Sequence, residues 1–109
     1  MDARQKRMTQ NEALFREINE RVQDVADSLE VESVREYFCE CANADCTFHV
    51  MLTRSQNESV RTDPTQFVVL PQHFTPEVET MVGEFDGYWL VRKTGEAGDY
   101  VESIDPRSR

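Results

Sequence analysis

The chain is poor in positive charge: 12 Lys and Arg stand against 21 Asp and Glu, a formal charge of −9. Phosphate backbones are held by clustered cations, and here the clusters lie at the ends, Arg4, Lys6 and Arg7 at one and Arg107 and Arg109 at the other. Direct binding of nucleic acid is therefore not expected. Long apolar runs are also missing. None approaches the roughly 20 residues of a membrane span, and the first residues lack the apolar stretch of a signal peptide. The expectation is a cytoplasmic protein with no membrane contact. There is no glycine-rich phosphate loop, no His-Glu-x-x-His pair, and no His-x-Glu with the Pro-Cys-x-x-Cys of zinc deaminases. Hydrophobic residues make up only 39% of 109 positions, below the roughly 45–50% of globular chains. So small a core profits from a metal staple.

Cysteine is scarce, at three. An odd number in a reducing compartment argues against a disulfide framework. What is present is concentrated: all three fall within Phe38-Cys39-Glu40-Cys41-Ala42-Asn43-Ala44-Asp45-Cys46. Cys39 and Cys41 are two apart, so extended backbone points both thiols to one side and Glu40 to the other. Ala42 to Asp45 forms a turn, with Asn43 and Asp45 supplying side-chain to backbone bonds, and it returns Cys46 beside the first two. One more ligand closes a tetrahedron. His49 follows Cys46 by three on a strand and projects the other way, whereas His73 sits just past a strand end at the Pro71-Gln72 turn. Cys39, Cys41, Cys46 and His73 are the candidate metal ligands, and zinc is the expected ion, a closed shell of this kind being its structural pattern. Asp45, His49 or a water are the alternative fourth ligands. An iron–sulfur cluster, which prefers four thiolates, and plain burial of the cysteines are the competing readings. A catalytic zinc is disfavoured, because three thiolates make a poor Lewis acid and Glu40 is turned away.

The expected fold class is α+β: a long N-terminal amphipathic helix over residues 1–30, then a small zinc-binding domain over 34–105. That domain is an antiparallel sheet with short helices, stapled at a hairpin end. Residues 2 to about 30 contain no Gly or Pro, and Met8, Asn11, Phe15, Ile18, Val22, Val25 and Leu29 trace a heptad seam. The seam either lies across the domain's own sheet or pairs with a second copy in a homodimeric coiled coil. After a polar break at Glu30 to Ser33, strands are expected at Val34 to Cys39 and Thr47 to Leu52, with Phe48, Val50 and Leu52 on one face. A helix capped by Thr53 runs from Arg54 to Thr62, and Gln66 to Leu70 is a strand. Thr75-Pro76-Glu77 has the form of a helix start, predicting a helix to about Phe85. Tyr88 to Lys93 is a strand with Trp89 packed in the core. Gly95 and Gly98 bracket a loop, and Tyr100 to Ile104 is an edge strand or a helical turn.

These residues carry a resemblance. Asn11-Glu12-Ala13-Leu14-Phe15-Arg16-Glu17, Phe38-Cys39-Glu40-Cys41, Cys46, Leu52-Thr53, Val60-Arg61, Pro64-Thr65-Gln66-Phe67-Val68-Val69, Pro71-Gln72-His73 and Asp105-Pro106-Arg107 resemble a family of short, uncharacterised actinobacterial proteins. The resemblance implies the same three cysteines and His73 as a set, without His49, and implies no activity. In that family the histidine usually follows Pro-Gly; here Gln72 stands in the glycine's place, a strained choice if the turn needs positive φ. Together the features predict a non-enzymatic, zinc-stapled module offering an acidic surface and a helix to a protein partner. The transcription machinery is one class of partner. The alternative is a thiol-based redox sensor that releases its zinc on oxidation.

Overall fold

The computed structural model describes residues 1–29 and 34–108; the expected break at Glu30 to Ser33 lies outside them. The fold is α+β. Helix α1 (Ala3–Leu29) is followed by a hairpin of β1 (Val34–Phe38) and β2 (His49–Thr53), then α2 (Arg54–Arg61), β3 (Gln66–Val69), β4 (Glu79–Phe85), β5 (Tyr88–Lys93) and α3 (Gly95–Ser103), with a short 3-10 turn at Pro106–Ser108. All strand pairs are antiparallel, β1 with β2 in one sheet and the order β3-β5-β4 in the other. Among the described residues no helix is long and apolar enough to cross a membrane.

Alternation along β3 divides the interior. Phe67 and Val69 enter a cluster with Ala13 of α1, Val91 of β5, Val101 of α3 and the three cysteines, against which Trp89 packs. Val68 points the other way, to Tyr37, Val50, Leu52 and Val60. The three-stranded sheet is thus the middle layer, apolar on both faces as a covered sheet must be. Thr53 caps α2 as expected, its side chain accepting from the Gln56 N–H while Gln56 reciprocates to the Thr53 N–H. That exchange satisfies two backbone donors at the helix start.

Three local expectations are corrected. Thr75-Pro76-Glu77 opens no helix: the Val78 N–H donates to the Thr75 carbonyl, closing one turn, and Glu79–Phe85 continues as β4. Glu79 and Met81 turn inward while Thr80 and Val82 stay exposed, a period of two that the Asp86-Gly87 turn, with Gly87 at φ 86°, converts into a hairpin with β5. The expected loop at Gly95 to Gly98 is the start of α3. Gly98 serves close approach, since a Cβ there would stand 2.9 Å from the Lys93 carbonyl oxygen. Phe48 precedes β2 instead of alternating within it, and 61% of its surface is exposed.

The helix is the largest surprise in packing. Its most buried line is Thr9, Glu12, Arg16, Asn19 and Gln23, all 2% exposed or less. Each follows a residue of the apolar seam by one position, a rotation of about 100°. Of the seam, Phe15 is buried, Met8, Asn11, Ile18 and Val22 are half-buried, and Val25 is exposed. The helix lies across its own domain, and polar side chains make the contact. Arg16 donates to the carbonyls of Pro64 (2.7 Å) and Val101 (2.9 Å). Gln23 accepts from the Tyr37 hydroxyl (2.6 Å) and from Asn57 (3.0 Å). Glu12 meets Lys93, which also meets Glu79, and all three side chains are fully buried.

Candidate metal centre

Cys39 and Cys41 lie just past β1, Cys46 just before β2, and His73 just past β3. Each is held by local backbone chemistry. Asn43 makes the turn, its side-chain oxygen accepting from the Asp45 N–H (2.9 Å) and its carbonyl from the Cys46 N–H (3.1 Å). Past β3, the His73 N–H donates to the Leu70 carbonyl (3.0 Å) across a turn in which Gln72 holds φ 75°. That left-handed conformation is one glycine adopts freely and glutamine does not.

The four ligand atoms, three Sγ and one ring nitrogen, all lie within 4.8 Å of one another. His73 Nδ1 is 3.4 Å from the Cys39 sulfur and 3.8 Å from the Cys46 sulfur. With metal bonds of about 2.3 Å to sulfur and 2.0 Å to nitrogen, the sulfur–nitrogen edge of a tetrahedron is about 3.5 Å. This Cys3His cluster is close enough to hold a metal ion. Its thiols are buried and His73 is half-buried. His49 is exposed and packs its ring against Phe38, centroids 4.8 Å apart, away from the cluster.

Electrostatics separate the thiols. Cys41 is held down to about 5, chiefly by a hydrogen bond from Cys39, with further donation from the Asn43 backbone. Cys39 is pushed up by that same hydrogen bond and by burial, although the Leu70 N–H donates to its sulfur at 3.2 Å. Burial likewise pushes Cys46 up, against a backbone bond from Phe48. Backbone N–H groups thus reach all three sulfurs, which orients them and stabilises their charged forms.

The support behind the ligands was invisible in the sequence pattern. Glu40, turned away from the thiols as strand parity requires, is fully buried. It accepts from Arg61 (2.7 Å), the Val68 N–H (2.9 Å) and Asn19 (2.9 Å). Asn19 also brackets Phe38, accepting from its N–H (2.7 Å) and donating to its carbonyl (2.9 Å), and Asn11 donates to the Cys41 carbonyl (3.1 Å). Helix α1 therefore grips the ligand-bearing segment through two asparagines. The only available signal was their presence on an otherwise apolar seam or beside it. An open groove of about 500 Å³ adjoins the cluster, lined by Arg4, Met8, Ala42 and Phe74 together with Cys41 and His73. No family model, curated protein or solved structure matches the chain, so the reading of the centre rests on its own geometry.

Proposed function

We propose that the protein is a non-enzymatic zinc module whose ion, held by Cys39, Cys41, Cys46 and His73, braces a surface for a protein partner. The convergence of three sulfurs and one nitrogen within 4.8 Å carries this reading. Such a donor set fills the four positions zinc prefers and leaves none for a substrate or a reactive water. Glu40 cannot act as a base there, being fully buried and held by Arg61, the Val68 N–H and Asn19. With a net charge of −9, the partner surface is expected to be basic.

Metal analysis of the purified chain, followed by cobalt substitution, tests the assignment. One ion per chain and a cobalt spectrum of tetrahedral ligation by three sulfurs and one nitrogen are expected; sub-stoichiometric zinc, or a water on the metal, overturns it. The groove beside Cys41 and His73 favours one second reading, a redox sensor. Peroxide would take two electrons from two ligand thiolates, forming one disulfide and, with two protons, two waters, as the metal leaves. Zinc release that tracks peroxide addition supports the sensor, and retention of zinc leaves the ion structural.

A further inference from the structure

Sheet edges need cover, because each edge strand presents unpaired N–H and C=O groups. Among the described residues two edges are capped from within: Asn19 bonds both backbone groups of Phe38 on β1, and Glu40 bonds both those of Val68 on β3. The other two are open. Strand β4 carries the usual guards, an irregular register between Met81 and Gly83 and an exposed Glu84. Strand β2, His49-Val50-Met51-Leu52-Thr53, carries no Pro, no Asp, Glu, Lys or Arg, and no bulge. That is unusual restraint in a chain that is 30% charged.

The register shows which groups face outward. Phe38 turns its N–H and C=O to Asn19, away from β2, while the Cys39 N–H donates to the Phe48 carbonyl across the hairpin. Alternation then directs the backbone of Val50 and Leu52 to β1 and that of His49 and Met51 outward. Both residues are exposed, Met51 by 53%, and among the described residues none bonds to these outward groups. The Thr53 N–H is already taken by Gln56.

We infer that β2 is a docking edge for β2 of a second copy, paired antiparallel with His49 opposite Met51 of that copy, so that the two hairpins form one four-stranded sheet. The two-fold axis falls at Val50, and the four outward groups of each strand exchange four hydrogen bonds. The edge is self-complementary, its two outward N–H and two outward C=O groups lying symmetrically about Val50, and charge at the edge does not oppose a second copy. At −9 per chain two copies repel over most of their surface, yet Cys46 to Thr53 contains no charged residue, so self-pairing sets no like charges opposite one another. The acid that neighbours Met51 across the hairpin is Glu36. In the paired sheet it stands three strands from its counterpart, about 14 Å, beyond the roughly 8 Å over which physiological salt lets charges interact. A two-fold pairing also uses up both edges, closing the assembly at a dimer.

Sedimentation of the full metal-loaded chain at micromolar concentrations tests this, together with amide exchange at low and high protein concentration. A dimer is expected, with the His49 and Met51 amides exchanging more slowly as concentration rises. Met51→Lys should return it to a monomer without changing its circular dichroism or metal content. A wild-type monomer throughout overturns the inference, as do His49 and Met51 amides indifferent to concentration. A dimer that survives Met51→Lys but is lost in Leu14→Lys also overturns it and moves the interface to the exposed face of α1.

Discussion

The protein buries two clusters of groups that water would otherwise hold, and with the proposed zinc bound they are neutralised from different sources. Around Cys39, Cys41, Cys46 and His73, the opposing charge would come from outside, as the proposed zinc ion. Around Lys93, it comes from Glu12 and Glu79 within the chain, with the ammonium also 5.7 Å from the centre of the Phe67 ring. The first cluster would therefore be conditional on solution chemistry, whereas the second is built into the chain. The difference extends to what each holds in place. The Cys3His cluster joins the loops after β1 and β3, whereas the Lys93 cluster joins α1 to β4 and β5. Two carboxylates on one ammonium leave an excess of negative charge, and Glu12 carries the cost. Burial raises its pKa well above the usual carboxylate range, and Glu79 adds to the effect.

Chelation should break the comparison most severely. Structural zinc contributes an apparent ~10–16 kcal/mol in small domains, as much as the ~5–15 kcal/mol that keeps a typical domain folded. Metal-free protein, or Cys39→Ser, is expected to lose its cooperative thermal transition, as calorimetry would register. Lys93→Ala comes next. It leaves two buried carboxylates without their cation and should cost about 3–5 kcal/mol in urea unfolding, with zinc content unchanged. Glu12→Gln tests the excess charge. A carboxyl whose folded pKa is raised contributes stability below its unfolded value near 4.5 and loses it as pH climbs towards the folded value. The variant should therefore gain on wild type progressively as pH rises from about 4.5 towards the folded value, and no further above it, read as the difference in melting temperature across a pH series. Gln72→Gly is the gentlest probe. Relieving the left-handed strain beside His73 should stabilise the folded chain by about 0.5–1 kcal/mol, and it leaves Lys93 untouched.

The two clusters were unequally legible. Three cysteines within eight residues announce themselves, and strand parity distinguishes His73 from His49 because side chains alternate on extended backbone. Lys93, Glu12 and Glu79 read as ordinary surface charge. Lys93 ends a strand, Glu12 belongs to an i, i+4 pair with Arg16, and Glu79 lay within a stretch that had the form of a helix. Only when β4 pairs with β5 does Glu79 come opposite Lys93. The misread helix and the missed cluster thus have one origin. Capping signals act over a single turn, and β pairing outweighs them once a partner strand is present.

By itself the sequence determined what depends on local periodicity and rare residues: a long helix free of Gly and Pro, a capped α2, strands at β1, β2, β3 and β5, and thiols gathered by a turn. Only the tertiary structure decided which face of α1 is buried. A seam of Met8, Phe15, Ile18 and Val22 looks inward by hydrophobicity, yet the helix sits one residue further round. Arg16, Asn19 and Gln23 find backbone and side-chain partners on the sheets and loops beneath them, and Glu12 finds Lys93. A buried polar group left without a partner costs more than a half-covered aliphatic one. Where those partners lie is a property of the assembled fold, and no periodicity in the chain records it.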